Sequence, residues 1–408
     1  MKVMFVVYGY LPGKNSAIIS RLSDYLTSKN IEVIILSYSY DGSRSRVEKY
    51  GNETIYNVKL KTQLRFFRKA VRITLERKEN YFFRILYNMI INFFSRFLYI
   101  DKDLVESIKY YFITQDVDMV IPVIQQSIGA VSTFEAQKGE QMLRYVPYFL
   151  DPFASNQFDV SQTDLKVRLE QQIYESCFKA IVTHEMFAEN HVNEQKKYIQ
   201  KMIPLGFPSV QKIIFAPADD DILFSKDNIN CAFIGNLYCD IRTPEFILKI
   251  FELIDDERFV LHLVGGGQDS KEINEAQSRL GERLVLHGPV STSAAKNVML
   301  YTDILVNIGN NISNMVPSKI FEYFSSGKPL INTYKNIDCP TIEYFNRYPL
   351  AFNMYERDPI TAEVISSFIE FCINNQKKNV DFDTVHSLYY NYTLEYVGER
   401  FIEVVKNS

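Results

Sequence analysis

The chain has no tryptophan, and five cysteines, five histidines, 16 glycines and 14 prolines are spread thinly over its 408 residues. Cys177, Cys231, Cys239, Cys339 and Cys372 form no C-x-x-C pair, and none neighbours a histidine. A disulfide framework and a zinc ribbon are thereby excluded, and a reducing, cytoplasmic setting is expected. Excess basic charge is missing too. Against 49 Asp and Glu stand 45 Lys and Arg, a net charge of −4, so nothing global attracts nucleic acid. No run of about 18 apolar residues lacks charge, so no membrane span is expected. The opening MKVMFVVYGYLPGK has only a short apolar run. Polar Lys14, Asn15 and Ser16 follow it, then a helical pattern, so it reads as a buried strand rather than a leader. Repeats and low-complexity tracts are absent as well.

What remains is an ordinary globular composition, 47% hydrophobic and 23% charged, long enough for two or three domains. Val3, Phe5 and Val7 lie in a continuous apolar run, as in a strand covered on both faces. Gly9, Pro12 and Gly13 break that run. Ile18, Ile19, Leu22 and Leu26 recur at helical spacing, and EVIILS over 32–37 is the next strand, which makes a βαβ unit and a parallel sheet. Further strands are expected at 119–123, 145–150 and 180–183. From Cys231 the alternation restarts: CAFIG, a helix over 244–253, FVLHLV into Gly265–Gly267, a helix over 270–280, RLVLHG, a helix over 294–301, DILVNIG, a helix from Pro317 to Ser326, and PLIN. Two doubly wound α/β halves follow, joined near LGFP at 205–208.

Residues 59–99 differ from the rest. They carry ten Lys and Arg against two Glu, a net +8, interleaved with ten aromatics. Such helices suit an anionic bilayer surface. They equally suit an internal helix pair whose Phe residues fill core while Arg and Lys face water.

The most informative stretch is VNIGNNISNMVPSKIFEYFSSGKPLIN, 306–332. A strand ends at Gly309, a polar loop follows, and Pro317 opens a helix, where its missing amide proton costs nothing. Ser318 and Lys319 fall in the first turn, whose amides and dipole favour an anion, and Lys319 adds a full charge. Glu322, one turn on, can accept both hydroxyls of a ribose. The pattern also fits a helix whose Lys319 and Glu322 merely face water.

PSKIFEYFSSGKPLIN resembles the donor-binding helix of GT-B glycosyltransferases, especially the retaining group called family 4. FIGNLYCDIRTPEFIL, FVLHLVGGGQDS and LVLHGPV resemble, in order, that family's first three donor-domain strands and their turns. VVYGYLPGKNSAIISRLSDYLTSKNIEVIILS resembles its first βαβ unit, and VPYFLDPF its acceptor-domain strand. The resemblance implies an acceptor domain over 1–205, completed by a C-terminal helix over 386–408, and a donor domain over 206–385, the two facing a central cleft. It implies a retaining, metal-independent transferase using a nucleotide sugar, UDP-linked, as substrate and no cofactor. The acceptor would be a cell-envelope polysaccharide or lipid-linked oligosaccharide at the inner face of the membrane.

Carried over residue by residue, the resemblance assigns Glu322 to the ribose and Asn314 to the family's other acidic position, eight residues earlier. The family's Arg and Lys facing the diphosphate fall on Asn236 and Arg242. One cation is thus missing, and Lys319 is expected to supply it. Gly13 takes part in the turn at the first helix, Gly265 in the glycine-rich turn, and His287 meets the base through its backbone. Asp151 falls at the polar position of the cleft strand and would orient the acceptor hydroxyl, while Arg242, Ser318 and Lys319 stabilise the leaving diphosphate. Two other readings stay open, a GT-B nucleotide-sugar epimerase and a non-catalytic GT-B subunit.

Other motifs carry less. GYLPGKNS at 9–16 is one residue short of a phosphate-binding loop and has Asn15 where the Ser/Thr that holds Mg²⁺ should stand. Asp116 and Asp118 precede a strand, at the wrong end of a parallel sheet for a ligand site. Gly265–Gly267 lacks the dinucleotide spacing. His184, His191, His262 and His386 have no partner at metal-ligand spacing and read as structural or exposed.

Overall fold

The computed structural model describes residues 1–11, 17–40, 47–50, 53–60, 99–125, 127–140, 142–156, 163–238, 241–268, 270–312 and 314–408. Gly13 and nearly all of the basic aromatic segment, 61–98, lie outside the described residues. The chain divides into two compact units, Met1–Pro208 with Leu394–Ser408, and Ser209–Thr393.

The first unit is built on eight strands: β1 (Lys2–Tyr8), β2 (Glu32–Ser39), β3 (Val47–Tyr50), β4 (Glu53–Lys59), β5 (Met119–Ile124), β6 (Tyr148–Phe149), β7 (Ala180–Val182) and β8 (Met202–Pro204). Their order across the sheet is β3-β4-β2-β1-β5-β6-β7-β8, and every pairing is parallel except β3 with β4. Its helices are α1 (Ala17–Ser28), α2 (Lys102–Thr114), α3 (Ser127–Gly139), α4 (Thr163–Ser176) and α5 (His184–Asn190). β1 and β5 are buried along almost their whole length. That is why both read as unbroken apolar runs rather than as alternating ones.

The second unit has six strands, β9 (Ile229–Ile234), β10 (Phe259–Val264), β11 (Leu284–Gly288), β12 (Ile304–Ile308), β13 (Leu330–Tyr334) and β14 (Ala351–Tyr355). All are parallel, in the order β11-β10-β9-β12-β13-β14. Its helices are α6 (Glu245–Leu253), α7 (Lys271–Leu280), α8 (Thr292–Tyr301), α9 (Lys319–Ser325), α10 (Thr341–Arg347), α11 (Ala362–Asn375) and α12 (Phe382–Leu388). The winding reverses between β9 and β12. In an open α/β sheet, ligands bind at the carboxyl ends of the strands beside such a reversal.

The final segment is not one helix over 386–408. It breaks after α12 at Tyr389–Thr393, and a last helix, α13 (Leu394–Lys406), packs into the first unit. There Phe401 stacks on Phe5 of β1, ring centroids 5.7 Å apart. The strand expected over 145–150 shrinks to Tyr148–Phe149, with Tyr145 making a single bridge to Val120. Asp116 and Asp118 form the turn into β5: Asp116 has φ of 52°, and Asp118 accepts the Lys2 amide at 2.7 Å.

Candidate functional site

In the second unit, the loops leaving β9 and β10 lock together backbone to backbone. Gly265 has φ of +136°, and a Cβ there would lie 2.0 Å from the Gly235 carbonyl. Gly267, at φ of +77°, would place one 2.1 Å from the Leu237 carbonyl. Only glycine tolerates both the dihedrals and the contacts. The Leu237 amide donates to Gly266 O at 3.0 Å, and the Gly265 amide to Gly288 O at 2.8 Å. Asn236 completes the clamp by accepting the Gly266 amide at 2.9 Å through Oδ1. Its side chain therefore holds the rim of the sheet together.

Across the reversal, the loop after β12 meets the loop after β9. Arg242 Nε donates to Asn310 Oδ1 at 2.8 Å, and the Asn311 amide donates to Ile241 O at 2.8 Å. Helix α9 is fixed to β9 by Tyr323, whose hydroxyl bonds both the amide and the carbonyl of Ile234. Burial raises the Tyr323 hydroxyl well above its ordinary pKa, so it stays protonated and able to donate.

Lys319 opens α9, one turn before Glu322. Burial lowers the Lys319 ammonium below its usual range; Glu322 opposes that shift and the Arg242 charge adds to it. Burial likewise lowers Arg242, against the pull of Tyr323 and Tyr238. Two cations that repel each other in a partly desolvated corner are poised for an anion that neutralises both. Arg242 also borders a cleft of ≈ 210 Å³ shared with Tyr238, Thr243, Glu245, Gly267 and Glu272. Drug-sized ligands fill about 300 Å³ or more, so this cleft admits only part of such a molecule.

The amides of the helix supply less than the sequence implied. Ile320 N donates to Pro317 O and Phe321 N to Ser318 O, each at 3.2 Å, so the helix itself starts at Lys319. Ser318 precedes it, with no capping bond from its hydroxyl. Positive charge at this corner therefore comes from Arg242 and Lys319. Asn314 is buried in the loop between β12 and α9.

His287 stands one residue before the end of β11, beside a histidine that sequence spacing left alone. His262 Nδ1 and His287 Nε2 are 3.0 Å apart, and the rings meet edge to edge, nearly coplanar at 17°, with centroids 5.3 Å apart. Burial, then the neighbouring His287, pushes His262 down to about 4; burial alone lowers His287. The second unit thus carries Asn236, Arg242, Gly265, His287, Asn314 and Ser318 on the strand ends and loops of one sheet, and Lys319 and Glu322 on helix α9.

Asp151 belongs to the first unit. It follows β6, its amide bonded to Ile124 O at 3.0 Å, and burial pushes its carboxyl up to about 6. The loop it begins is gripped from below. Ser155 Oγ donates to Glu189 at 3.1 Å, and the Ala154 backbone bonds Glu170. Glu170 is buried, accepts from Gln195 Nε2 at 2.7 Å, and is raised by burial to about 7. Among the described residues, no three of His, Cys, Asp and Glu converge as metal ligands. No helix of the described residues is long and apolar enough to cross a membrane.

Residues 228–343 match the family model for Glycosyl transferases group 1. No curated protein sequence matches the chain. Solved structures match it end to end. The sucrose-phosphate synthase from Thermosynechococcus elongatus superposes with a TM-score of 0.65 at 12% identity, covering 100% of this chain and 98% of that one. The E. coli trehalose-6-phosphate protein bound with UDP-2-fluoro glucose gives 0.62 at 11% identity, covering 100% and 99%. The lipopolysaccharide outer core galactosyltransferase WaaB, in its apo form, gives 0.59 at 11%, also covering 100% and 99%. At such identities the likeness establishes the fold, two Rossmann-like units of the GT-B kind.

Proposed function

We propose that this chain, a GT-B glycosyltransferase whose residues 228–343 form a glycosyl transferases group 1 domain, takes its sugar from a UDP-linked donor and transfers it with retention. The acceptor in this reading is a cell-envelope polysaccharide or a lipid-linked oligosaccharide. The observation that carries the donor half is the pairing of Arg242, after β9, with Lys319, after β12, on the two sides of the sheet reversal.

As the bond to the sugar breaks, negative charge grows on the departing diphosphate. Two preplaced cations stabilise that charge more than they stabilise the ground state, which lowers the barrier. They also supply what a divalent ion would otherwise provide, which supports a metal-independent reaction. Glu322 takes the ribose hydroxyls, and Ser318 lies beside the phosphate. In the first unit Asp151 orients the acceptor hydroxyl and draws on its proton, a role that needs the ionised carboxylate.

Support for the nucleotide and acceptor is by analogy. One structural relative holds a UDP-sugar analogue, and another builds the lipopolysaccharide outer core. The net +8 over 59–99 favours a peripheral place on the inner face of an anionic membrane.

Thermal melting with UDP, GDP, ADP and CMP tests the donor reading. A nucleotide at 100 times its Kd should raise the Tm of a unit this size by about 5–10 °C. Failure of all four to shift it would remove the reading. Sugar-nucleotide interconversion without acceptor would favour an epimerase instead.

A further inference from the structure

The donor proposal leaves open how the protein tells one base from another, and the histidine pair bears on that question. Asn230, on β9, donates through Nδ2 to Ser225 O at 2.9 Å and to Asp303 Oδ2 at 3.1 Å. Asp303 Oδ2 also takes the Asn230 amide at 2.8 Å. Turning the Asn230 amide over would set its oxygen against two acceptors, so its orientation is fixed and Oδ1 is left as an acceptor. That oxygen lies 3.2 Å from His262 Nε2, which must therefore carry a proton. A neutral His262 then has a bare Nδ1, and the atom facing it, His287 Nε2, must be the donor. Burial favours the neutral form of both rings, and Phe224 packs edge-on against His262 at 4.9 Å.

We propose that the line Asp303–Asn230–His262–His287 sets the tautomer of His287 so that Nδ1 offers a lone pair at the carboxyl end of β11. This lone pair selects a base with a ring N–H over one with a ring lone pair. It deepens the donor reading and rests on it. Uracil and guanine carry N–H at the ring nitrogen of the pairing edge, whereas cytosine and adenine carry a lone pair there. Against His287, the first kind forms a hydrogen bond and the second sets two lone pairs together.

The position suits a base. His287 is half-buried, and among the described residues its one hydrogen bond is to His262. A Cβ added at the following Gly288 would meet nothing within 4 Å, so the space beside it is open. β11 lies two strands from β9, about 10 Å at the usual strand spacing. A nucleoside whose diphosphate sits at Arg242 spans that distance, along a rim where Gly235, Gly265, Gly266 and Gly288 carry no side chain of their own. His262 touches no ligand in this scheme and acts as a positioning residue.

The full chain labelled with ¹⁵N-histidine gives the tautomers directly, with spectra of His262→Phe and His287→Phe assigning the signals. Both rings should carry the proton on Nε2 at pH 7. By calorimetry, UDP should bind roughly ten to a hundred times more tightly than CDP or N3-methyl-UDP, the range set by leaving one buried polar group unpaired. In folded His262→Phe the UDP-to-CDP ratio should fall toward one. A proton on His287 Nδ1, or a ratio unchanged in His262→Phe, would overturn the proposal. Equal binding of UDP and CDP by the native chain would overturn it and leave the donor reading standing. If neither binds, the donor reading fails and takes the proposal with it.

Discussion

Tyr323 Oη accepts the Ile234 amide at 2.8 Å and donates to the Ile234 carbonyl at 2.9 Å, so one hydroxyl bolts α9 to the end of β9. Both partners are buried main-chain groups, and Phe at position 323 would strand them. Tyr323→Phe should cost about 1–3 kcal/mol of stability, read by urea unfolding. It should also weaken nucleotide binding, because Lys319 and Glu322 ride on the same helix. Loss of affinity without loss of stability would show that the bolt serves the site alone.

Arg242 and Lys319 should act on phosphate rather than on base. Arg242→Ala and Lys319→Ala should each weaken UDP binding by roughly 10- to 100-fold, as expected for a charge-assisted hydrogen bond. Binding of uridine, which has no phosphate, should change little. Calorimetry with both ligands separates the two effects. An equal loss for uridine would mean the substitutions disturb the unit generally.

The glycine rim allows a sharper structural prediction. Gly265→Ala meets both a left-handed φ of +136° and a carbonyl oxygen 2.0 Å from the new methyl. The backbone strain alone is worth about 1–3 kcal/mol, and the contact adds to it. The variant should melt well below the native chain and lose nucleotide binding. Gly288→Ala meets no atom within 4 Å but shares the strained dihedral, with φ of +65°, so it should suffer less.

Asp151 joins stability and activity with opposite signs. Burial lifts its carboxyl to about 6, above its value in the unfolded chain. The stability tied to this group is therefore fully present below the unfolded value and is lost as pH rises through about 6. Asp151→Asn should then be more stable than the native chain at pH 7, and that advantage should vanish near pH 4. If the ionised carboxylate orients the acceptor, transfer by the native enzyme should decline below about pH 6, and Asp151→Asn should be slow at every pH. Paired unfolding and pH–rate curves check both halves.

Elements buried on both faces were legible as runs of apolar residues, and β1, β5, β9, β10 and β12 all fall where such runs stand. What was missed is polar or short. VEKY and ETIYNVK, the hairpin of β3 and β4, carry charges along the sheet edge. Helix α4 hides Lys166 and Glu170 inside a pattern that reads as solvated. At the site, Lys319 and Glu322 could be singled out because charge near a Pro-opened helix has a local signature, whereas Arg242 was reached only through the family resemblance. Tyr323 could not, since its partner is main chain 89 residues away. The pairing of His262 with His287 arises from adjacent parallel strands 25 residues apart, a relation that no periodicity encodes.

The central claim is that the second unit grips a sugar nucleotide by its diphosphate and its ribose. A crystal structure of the chain soaked with a UDP-sugar measures this directly. Diphosphate oxygens should lie within hydrogen-bonding distance of Arg242 and Lys319, with the ribose hydroxyls on Glu322. Nucleotide bound elsewhere, or Glu322 facing away from a ribose that is present, would contradict the account.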